Sequence, residues 1–153
     1  IGGYSTNENI VKIAPQLPED LAIEAIAHEY AHNWEFDPDS PNLHPALVEE
    51  GIPLKGELFS EGFAQWVAFK VLDFFGLTSE MASNIAFRSI DSSADEYGDG
   101  FRALYWLEEK VGFNGVVKFV KEGQVTLRDG STITPEQLIK NSGVADRLRF
   151  KKE

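Results

Sequence analysis

The chain has 153 residues with 25 acidic and 14 basic side chains, a formal net charge of −11, and no cysteine. The absence of cysteine excludes disulfides, thiolate metal sites and thiol nucleophiles, and the acidic balance argues against a nucleic-acid partner. No run approaches the ~18 apolar residues of a membrane helix and no signal peptide is recognisable, so we expect a soluble chain without membrane insertion. The sequence does not indicate the cellular compartment. The length predicts a single domain over residues 1–153, and Ile1 in place of Met indicates a piece of a longer chain.

The first half of the chain predicts a short strand and two buried helices. Residues 9–14 are rich in β-branched residues and lead to Pro15, a pattern typical of a strand at a sheet edge. Both helices carry apolar residues over most of their circumference, which predicts that they lie in the core. The predicted elements begin with a strand or loop over 2–4, a strand over 9–14 and a helix from Pro18 to about residue 35. An irregular proline-rich connection follows over 36–56, with one helical turn around 46–50. A second helix over 57–75 is ended by Gly76.

The second half of the chain is again mainly helical. Asp129-Gly130 lies between two short β-prone runs and predicts the turn of a small hairpin. Thr134-Pro135 followed by Gln137 is typical of a helix start with a capping box. The predicted elements are helices over 79–89, 99–111 and 114–122, with Gly112 and Gly123 after the last two, a hairpin over 125–133, and a helix from Pro135 to Asn141. The predicted fold class is therefore α+β and predominantly helical.

The most specific motif is His28-Glu29-Tyr30-Ala31-His32, a His-Glu-x-x-His (HExxH) pattern inside the first helix. Because an α-helix turns about 100° per residue, His28 and His32 lie one turn apart on one face, where two imidazoles can bind one zinc ion. Glu29 is too close to the first ligand to coordinate the same ion comfortably, but it can reach a water on that ion and accept its proton. The motif therefore predicts one catalytic Zn²⁺ with Glu29 as the general base.

A catalytic zinc ion needs a third protein ligand and one open position for water. A histidine six residues after His32 would fall on Pro38, which excludes the metzincin pattern. Glu61 is the preferred candidate because it lies inside an apolar helix, where a carboxylate without a cationic partner is costly to bury. Gly62 beside it would let the two helices approach closely. The alternatives for the third ligand are His44, in a proline-rich loop, and Glu50, close to Pro53.

The sequence also offers candidates for two supporting roles, the hydrogen-bond acceptor of a ligand histidine and the donor to the oxyanion. Ligating histidines usually donate their second ring nitrogen to an oxygen, and attack on a carbonyl needs a donor for the developing oxyanion. Gln65 lies four residues after Glu61 and so projects from the same helix face, where its amide oxygen can accept from a ligand histidine. The alternatives to Gln65 as the histidine's acceptor are Asn33 and Asp37. The candidates for the donor to the oxyanion are Tyr30, Tyr97, Tyr105 and His44.

Three segments carry a resemblance to a known family: Ile-Ala-His-Glu-Tyr-Ala-His-Asn-Trp (26–34), Ser-Glu-Gly-Phe-Ala-Gln-Trp-Val-Ala (60–68) and Tyr-Gly-Asp-Gly-Phe-Arg-Ala (97–103). In this order they resemble the gluzincin metallopeptidases, the thermolysin-like zincins, and most closely the DA1-like peptidases. The resemblance implies a zincin-like fold with His28, His32 and Glu61 as zinc ligands and Glu29 as general base. It also implies that Tyr97 stabilises the oxyanion.

The implied activity is zinc-dependent hydrolysis of peptide bonds by an endopeptidase, whose peptide or protein substrate would be aligned by the strand over 9–14. The chain departs from the family at two points. It lacks the cysteine-rich LIM modules and ubiquitin-interacting helices of plant DA1 proteins, and Gln65 stands where many gluzincins have an acidic residue. The alternatives to an active peptidase are a catalytically silent, zinc-stabilised binding or regulatory module, and a latent protease blocked by its own C-terminal tail.

Overall fold

A computed structural model describes residues 2–5, 10–48, 55–77 and 96–144. Within them the chain is predominantly helical, as predicted, with two small antiparallel sheets of two strands each. The elements in chain order are β1 (Gly2–Ser5), β2 (Ile10–Ile13), α1 (Glu19–Glu35), a 3₁₀ helix (Pro45–Leu47), α2 (Lys55–Phe74), α3 (Glu96–Glu122), β3 (Val125–Thr126), β4 (Thr132–Ile133) and α4 (Pro135–Asn141). The helix predicted over 79–89 and the candidate ligand Glu50 lie outside the described residues.

The N-terminal strands form a hairpin that packs against α1. Gly2 is paired with Ile13 and Ser5 with Ile10 in an antiparallel register. This confirms the strand predicted over 9–14 and resolves the segment over 2–4 as its partner. Because an isolated two-stranded hairpin is only marginally stable in water, we infer that packing against α1 stabilises these strands.

The first helix, α1, begins one residue later than predicted. Pro18 is not its first residue but its N-cap, with an extended backbone (φ −52°, ψ 148°), and its carbonyl accepts the N–H of Ala22 at 2.8 Å. Ile26 and Tyr30 are 38% and 60% exposed. The helix therefore keeps one solvent face and is less buried than its composition indicated.

The second helix, α2, is the centre of the fold, with α1 packed on one side and α3 on the other. It ends as predicted at Gly76, which adopts a left-handed conformation (φ 66°). The N–H of Gly76 reaches the carbonyl of Asp73 at 3.1 Å and that of Leu77 reaches Leu72 at 2.9 Å, the pair of bonds of a Schellman cap. Among the described residues, the largest side chains with almost no exposure are Trp66, Phe59 and Phe119.

Gly62 has a different neighbour from the one that we expected. The sequence predicted that Gly62 lets α1 and α2 approach closely, but a Cβ atom built on it would meet the backbone of Gly100 in α3. The physical reason is that α2 is covered on two sides, so the residue that follows Glu61 turns towards the second neighbour.

The third helix, α3, contains the break that the sequence predicted at Gly112, whose backbone is non-helical (φ 75°, ψ 179°). The chain then forms the predicted hairpin between Val125 and Ile133, followed by α4. At the start of α4 the side chains of Thr134 and Gln137 each accept a backbone N–H of the other residue, which confirms the capping box. No helix in the described part of the chain has the length and apolar character needed to cross a membrane.

Candidate metal centre

One side of the candidate metal centre is the face of α1 that carries His28 and His32. Since the two residues lie one helical turn apart, their rings meet edge to face, with centroids 4.8 Å apart and an interplanar angle of 82°. Each residue is only 8% exposed. Their Nε2 atoms are 3.2 Å apart, so both imidazoles present the same nitrogen to one point.

The second helix brings the carboxylate of Glu61 to that point. Its Oε2 atom lies 3.0 Å from Nε2 of His28 and 3.1 Å from Nε2 of His32. Glu61 is partly buried and faces α1 across the contact between the two helices. The structure therefore brings together the three residues that the sequence predicted as metal ligands.

The triangle formed by these three atoms has the size of one face of a metal coordination shell. Its edges are 3.0, 3.1 and 3.2 Å. Tetrahedral bonds of 2.0–2.1 Å, as zinc forms with nitrogen and oxygen, place neighbouring ligand atoms about 3.3 Å apart. Within the described residues this is the one group of His, Asp or Glu side chains that could hold a metal ion. The side chains present therefore fit a divalent cation with only small shifts.

The other ring nitrogen of His28 is held by Gln65. Nδ1 of His28 lies 2.7 Å from Oε1 of Gln65, which is 9% exposed. Because an amide oxygen can only accept a hydrogen bond, the imidazole is the donor in this contact. Nδ1 of His28 therefore carries the proton, and Nε2 is free to bind a cation. Gln65 was one of three candidates for this role in the sequence.

His32 has two neighbours at its second nitrogen, neither of which the sequence analysis identified. Nδ1 of His32 lies 3.3 Å from Oγ of Ser60 and 3.4 Å from Oε1 of Glu35. A signal for both was present, because Glu35 stands one turn after His32 on α1 and Ser60 directly precedes Glu61 on α2.

The side chains of the centre shift one another's protonation in opposite directions. Burial lowers the pKa of His32, but its interactions with the carboxylates of Glu35 and Glu61 outweigh burial and raise the pKa to about 10. Burial raises the pKa of Glu61, but hydrogen bonds from His28 and His32 outweigh it and lower the pKa to about 2. Burial also raises the pKa of Glu35, and its contacts with His32 and Ser60 oppose that shift only in part.

Glu29 follows His28 directly and is buried beside the ligand pair, at 8% exposure. Its carboxylate makes no hydrogen bond or ion pair with any described residue, although most of the other buried polar groups of the centre are paired. A carboxylate with free acceptor oxygens at this position is chemically able to take a proton from a reacting water.

Several other predicted candidates have different roles or lie beyond the described part of the chain. His44 is a helix cap rather than a third ligand, because its Nδ1 accepts the N–H of Ala46 at 3.0 Å. Tyr30 is on the exposed face of α1, and the ring of Tyr105 packs against Phe101 with centroids 5.7 Å apart. The side chain of Tyr97, at the start of α3, lies outside the described residues.

Comparisons with known proteins found no match to the chain among protein-family models, curated proteins or solved structures. We therefore infer the function from the geometry and chemistry of the centre.

Proposed function

We propose that this chain is a zinc-dependent peptidase domain of the gluzincin type, with a zincin-like fold, that hydrolyses peptide bonds. One observation carries the proposal: His28, His32 and Glu61 direct three ligand atoms to one place, with separations of 3.0 to 3.2 Å. Three protein ligands with a fourth position left for water are typical of catalytic zinc, whereas structural zinc usually has four protein ligands. No fourth side chain joins the group within the described residues.

The ligand types favour a transition metal, and the His-Glu-x-x-His spacing on one helix favours zinc over iron(II), which two histidines and a carboxylate can also hold. Magnesium and calcium prefer shells made of oxygen atoms, whereas two of these three ligands are imidazole nitrogens. The chain has no cysteine to supply the thiolates that select copper(I) or iron–sulfur clusters. A zinc ion bound here supplies Lewis-acid chemistry, since it lowers the pKa of a water molecule and polarises a carbonyl oxygen.

The remaining work of hydrolysis falls to side chains of α1 and its neighbours. The Glu29 carboxylate accepts the proton of the attacking water and passes it to the leaving amine. Its burial supports this role, as does the absence of a hydrogen bond or ion pair between its carboxylate and any described residue. Gln65 holds the ring of His28 in the tautomer that leaves Nε2 available.

Two parts of the proposal concern the substrate. We assign the stabilisation of the oxyanion to Tyr97, at the start of α3, because of the resemblance to gluzincins. We assign the alignment of an extended peptide to β2, which pairs with β1 on one side only among the described strands. An unpaired strand edge next to the active-site helix can take up a substrate as a further strand.

Zinc content and cleavage, measured on the same preparations, test the proposal. The wild-type chain is expected to hold one zinc ion and to cleave an unfolded protein. Glu29→Gln is expected to hold zinc equally well and to lose activity at least ~100-fold, because general base catalysis contributes about that much. Glu19→Gln, which changes an exposed carboxylate at the start of the same helix, is the matched control and should behave as wild type.

The other outcomes separate the alternatives. A chain that binds no stoichiometric zinc contradicts the proposal outright. Zinc binding with the same background cleavage in wild type and Glu29→Gln indicates a silent, zinc-stabilised module instead. Cleavage that appears only after removal of residues 145–153 indicates a latent protease.

A further inference from the structure

We propose that Glu35 is a positioning residue of the metal centre, whose carboxylate accepts a hydrogen bond from Nδ1 of His32 and orients that ligand. The inference rests on the proposed function, because it assigns a role within the same zinc site. It starts from a carboxylate that the mechanism above does not use.

Glu35 is the last residue of α1, and it is completely buried, at 0% exposure. Neither of its carboxylate oxygens has a hydrogen-bond partner of normal geometry within the described residues. No lysine or arginine in the described part of the chain forms an ion pair with it, and the basic group in contact is Nδ1 of His32 at 3.4 Å. A buried carboxylate is costly unless a proton or a positive charge compensates it, and the imidazole in contact with Glu35 is the group that can supply that charge.

The fold prevents Glu35 from turning towards solvent. The chain after α1 folds back over the helix end, where the main-chain N–H groups of Asn42 and Leu43 both donate to the carbonyl of Glu35, at 3.0 and 3.2 Å. The Asn42 side chain also donates to the carbonyl of Trp34 at 2.8 Å. These bonds fix the last turn of α1, and with it the position of the Glu35 side chain behind His32.

A divalent cation on the other side of His32 would offset the negative charge of Glu35. When His28 and His32 bind a metal through Nε2 they are neutral, so the ligand set contributes only the single negative charge of Glu61. The buried carboxylate of Glu35 adds the second. A dication offsets the charges of these two carboxylates, which lowers the cost of burying Glu35.

The two ligand histidines are therefore supported unequally. His28 faces the neutral amide of Gln65, whereas His32 faces a carboxylate. A carboxylate acceptor makes an imidazole a stronger electron donor to its metal than an amide does, in addition to fixing the ring. Ser60 competes for the same proton of His32, since its Oγ lies 3.3 Å from Nδ1, so the experiment must separate the two acceptors.

The test measures zinc affinity by competition with a chelator, and the visible spectrum of the cobalt(II)-substituted protein, in matched variants. Glu35→Gln is expected to weaken zinc binding ~10–100-fold and to change the cobalt spectrum, because the supporting charge is lost. Glu35→Asp keeps the charge and should recover part of the affinity. Ser60→Ala should weaken binding less than Glu35→Gln does, and Glu19→Gln should leave affinity and spectrum unchanged.

Unfolding of each variant in excess chelator distinguishes positioning from a purely structural role. Positioning predicts a loss of zinc affinity and a changed cobalt spectrum in Glu35→Gln whatever its stability in chelator, where the loss of the contact with His32 and the removal of a buried charge act in opposite directions. Unchanged zinc affinity and cobalt spectrum in Glu35→Gln, with lower stability in chelator, would overturn the role of Glu35 and leave the proposed function intact. A larger effect of Ser60→Ala would assign the proton of His32 to Ser60 instead. Absence of zinc from the wild-type chain would overturn the proposed function, and the role of Glu35 with it.

Discussion

Gly62 of α2 and Gly100 of α3 lie backbone against backbone where the two helices cross. A Cβ atom on Gly62 would overlap the Cα and carbonyl group of Gly100, and one on Gly100 would overlap the carbonyl oxygen of Leu58. Because Gly62 directly follows Glu61, this contact sets the rotation of α2 and with it the direction in which Glu61 points.

Gly100→Ala is expected to lower the free energy of unfolding by at least ~2 kcal/mol, because the overlap is with rigid backbone of the neighbouring helix and α3 must move away. Urea denaturation measures the change. Gly3→Ala is the control, since a Cβ at Gly3 meets no atom within 4 Å, and its effect should stay within about 0.5 kcal/mol. Equal stability of Gly100→Ala and wild type would contradict this account of how the helices are packed.

Gln65→Leu removes the acceptor of the His28 ring while keeping a side chain of similar size. We expect zinc affinity to fall ~10–100-fold, because the Nδ1–H of His28 loses its partner in a buried site. Competition with a chelator measures the effect. Gln124→Leu, at an exposed glutamine, is the control and should leave the affinity unchanged. The role of Gln65 would be refuted by an affinity equal to that of wild type.

The metal-free chain should become less stable as the pH rises above neutrality. The pKa of His32 is raised to about 10 in the folded chain, against an ordinary value of 6.5. Its stabilising contribution is therefore complete below pH 6.5 and is lost progressively as the pH rises to about 10. Urea denaturation in excess chelator at pH 6 and at pH 9 measures the loss.

His32→Gln is the control for this pH dependence, since it removes the titrating imidazole and leaves His28 and His44 in place. Its stability should change less between the two pH values than that of wild type.

At acidic pH the stability of the metal-free chain should fall as the pH falls, because the pKa of Glu61 is lowered to about 2 from 4.5. The contribution of Glu61 is present above pH 4.5 and is lost as the pH falls towards 2.

Thr134→Ala should cost about 1 kcal/mol of stability, because the N–H of Gln137 loses the hydroxyl that caps α4. Thermal unfolding measures the difference. Thr134→Ser retains a hydroxyl at the same position and should stay close to wild type. If both variants unfold at the same temperature, the capping box contributes nothing measurable.

Features that depend on a few neighbouring residues were predictable from the sequence. The break at Gly112 and the capping box at Thr134 follow from local backbone preferences, and both are present. His28 and His32 share a face because helix geometry alone requires it. Glu61 was identified by a physical argument rather than by spacing, since a carboxylate in an apolar helix needs a cationic partner.

Features that depend on how the helices pack could not be predicted from the sequence. Whether Gly62 faces α1 or α3 depends on which neighbour occupies that side of α2. Glu35 lies one helical turn after His32 on α1, but its complete burial requires the chain up to Leu43 to fold back over the helix end. The pattern of apolar residues carries no information about that return.

The ligands of the centre come from two separate stretches of chain, since Glu61 is 33 residues after His28. A metal ion would therefore act as a removable clasp between α1 and α2, closing a loop that contains the irregular segment after Glu35. Because the ion binds the folded site, it holds this loop closed only in the folded chain, and its binding free energy adds to the stability of the fold. On chelation, hydrogen exchange should quicken in α1 and in the hairpin packed against it, while the pairing of α2 with α3, which the clasp does not include, stays protected.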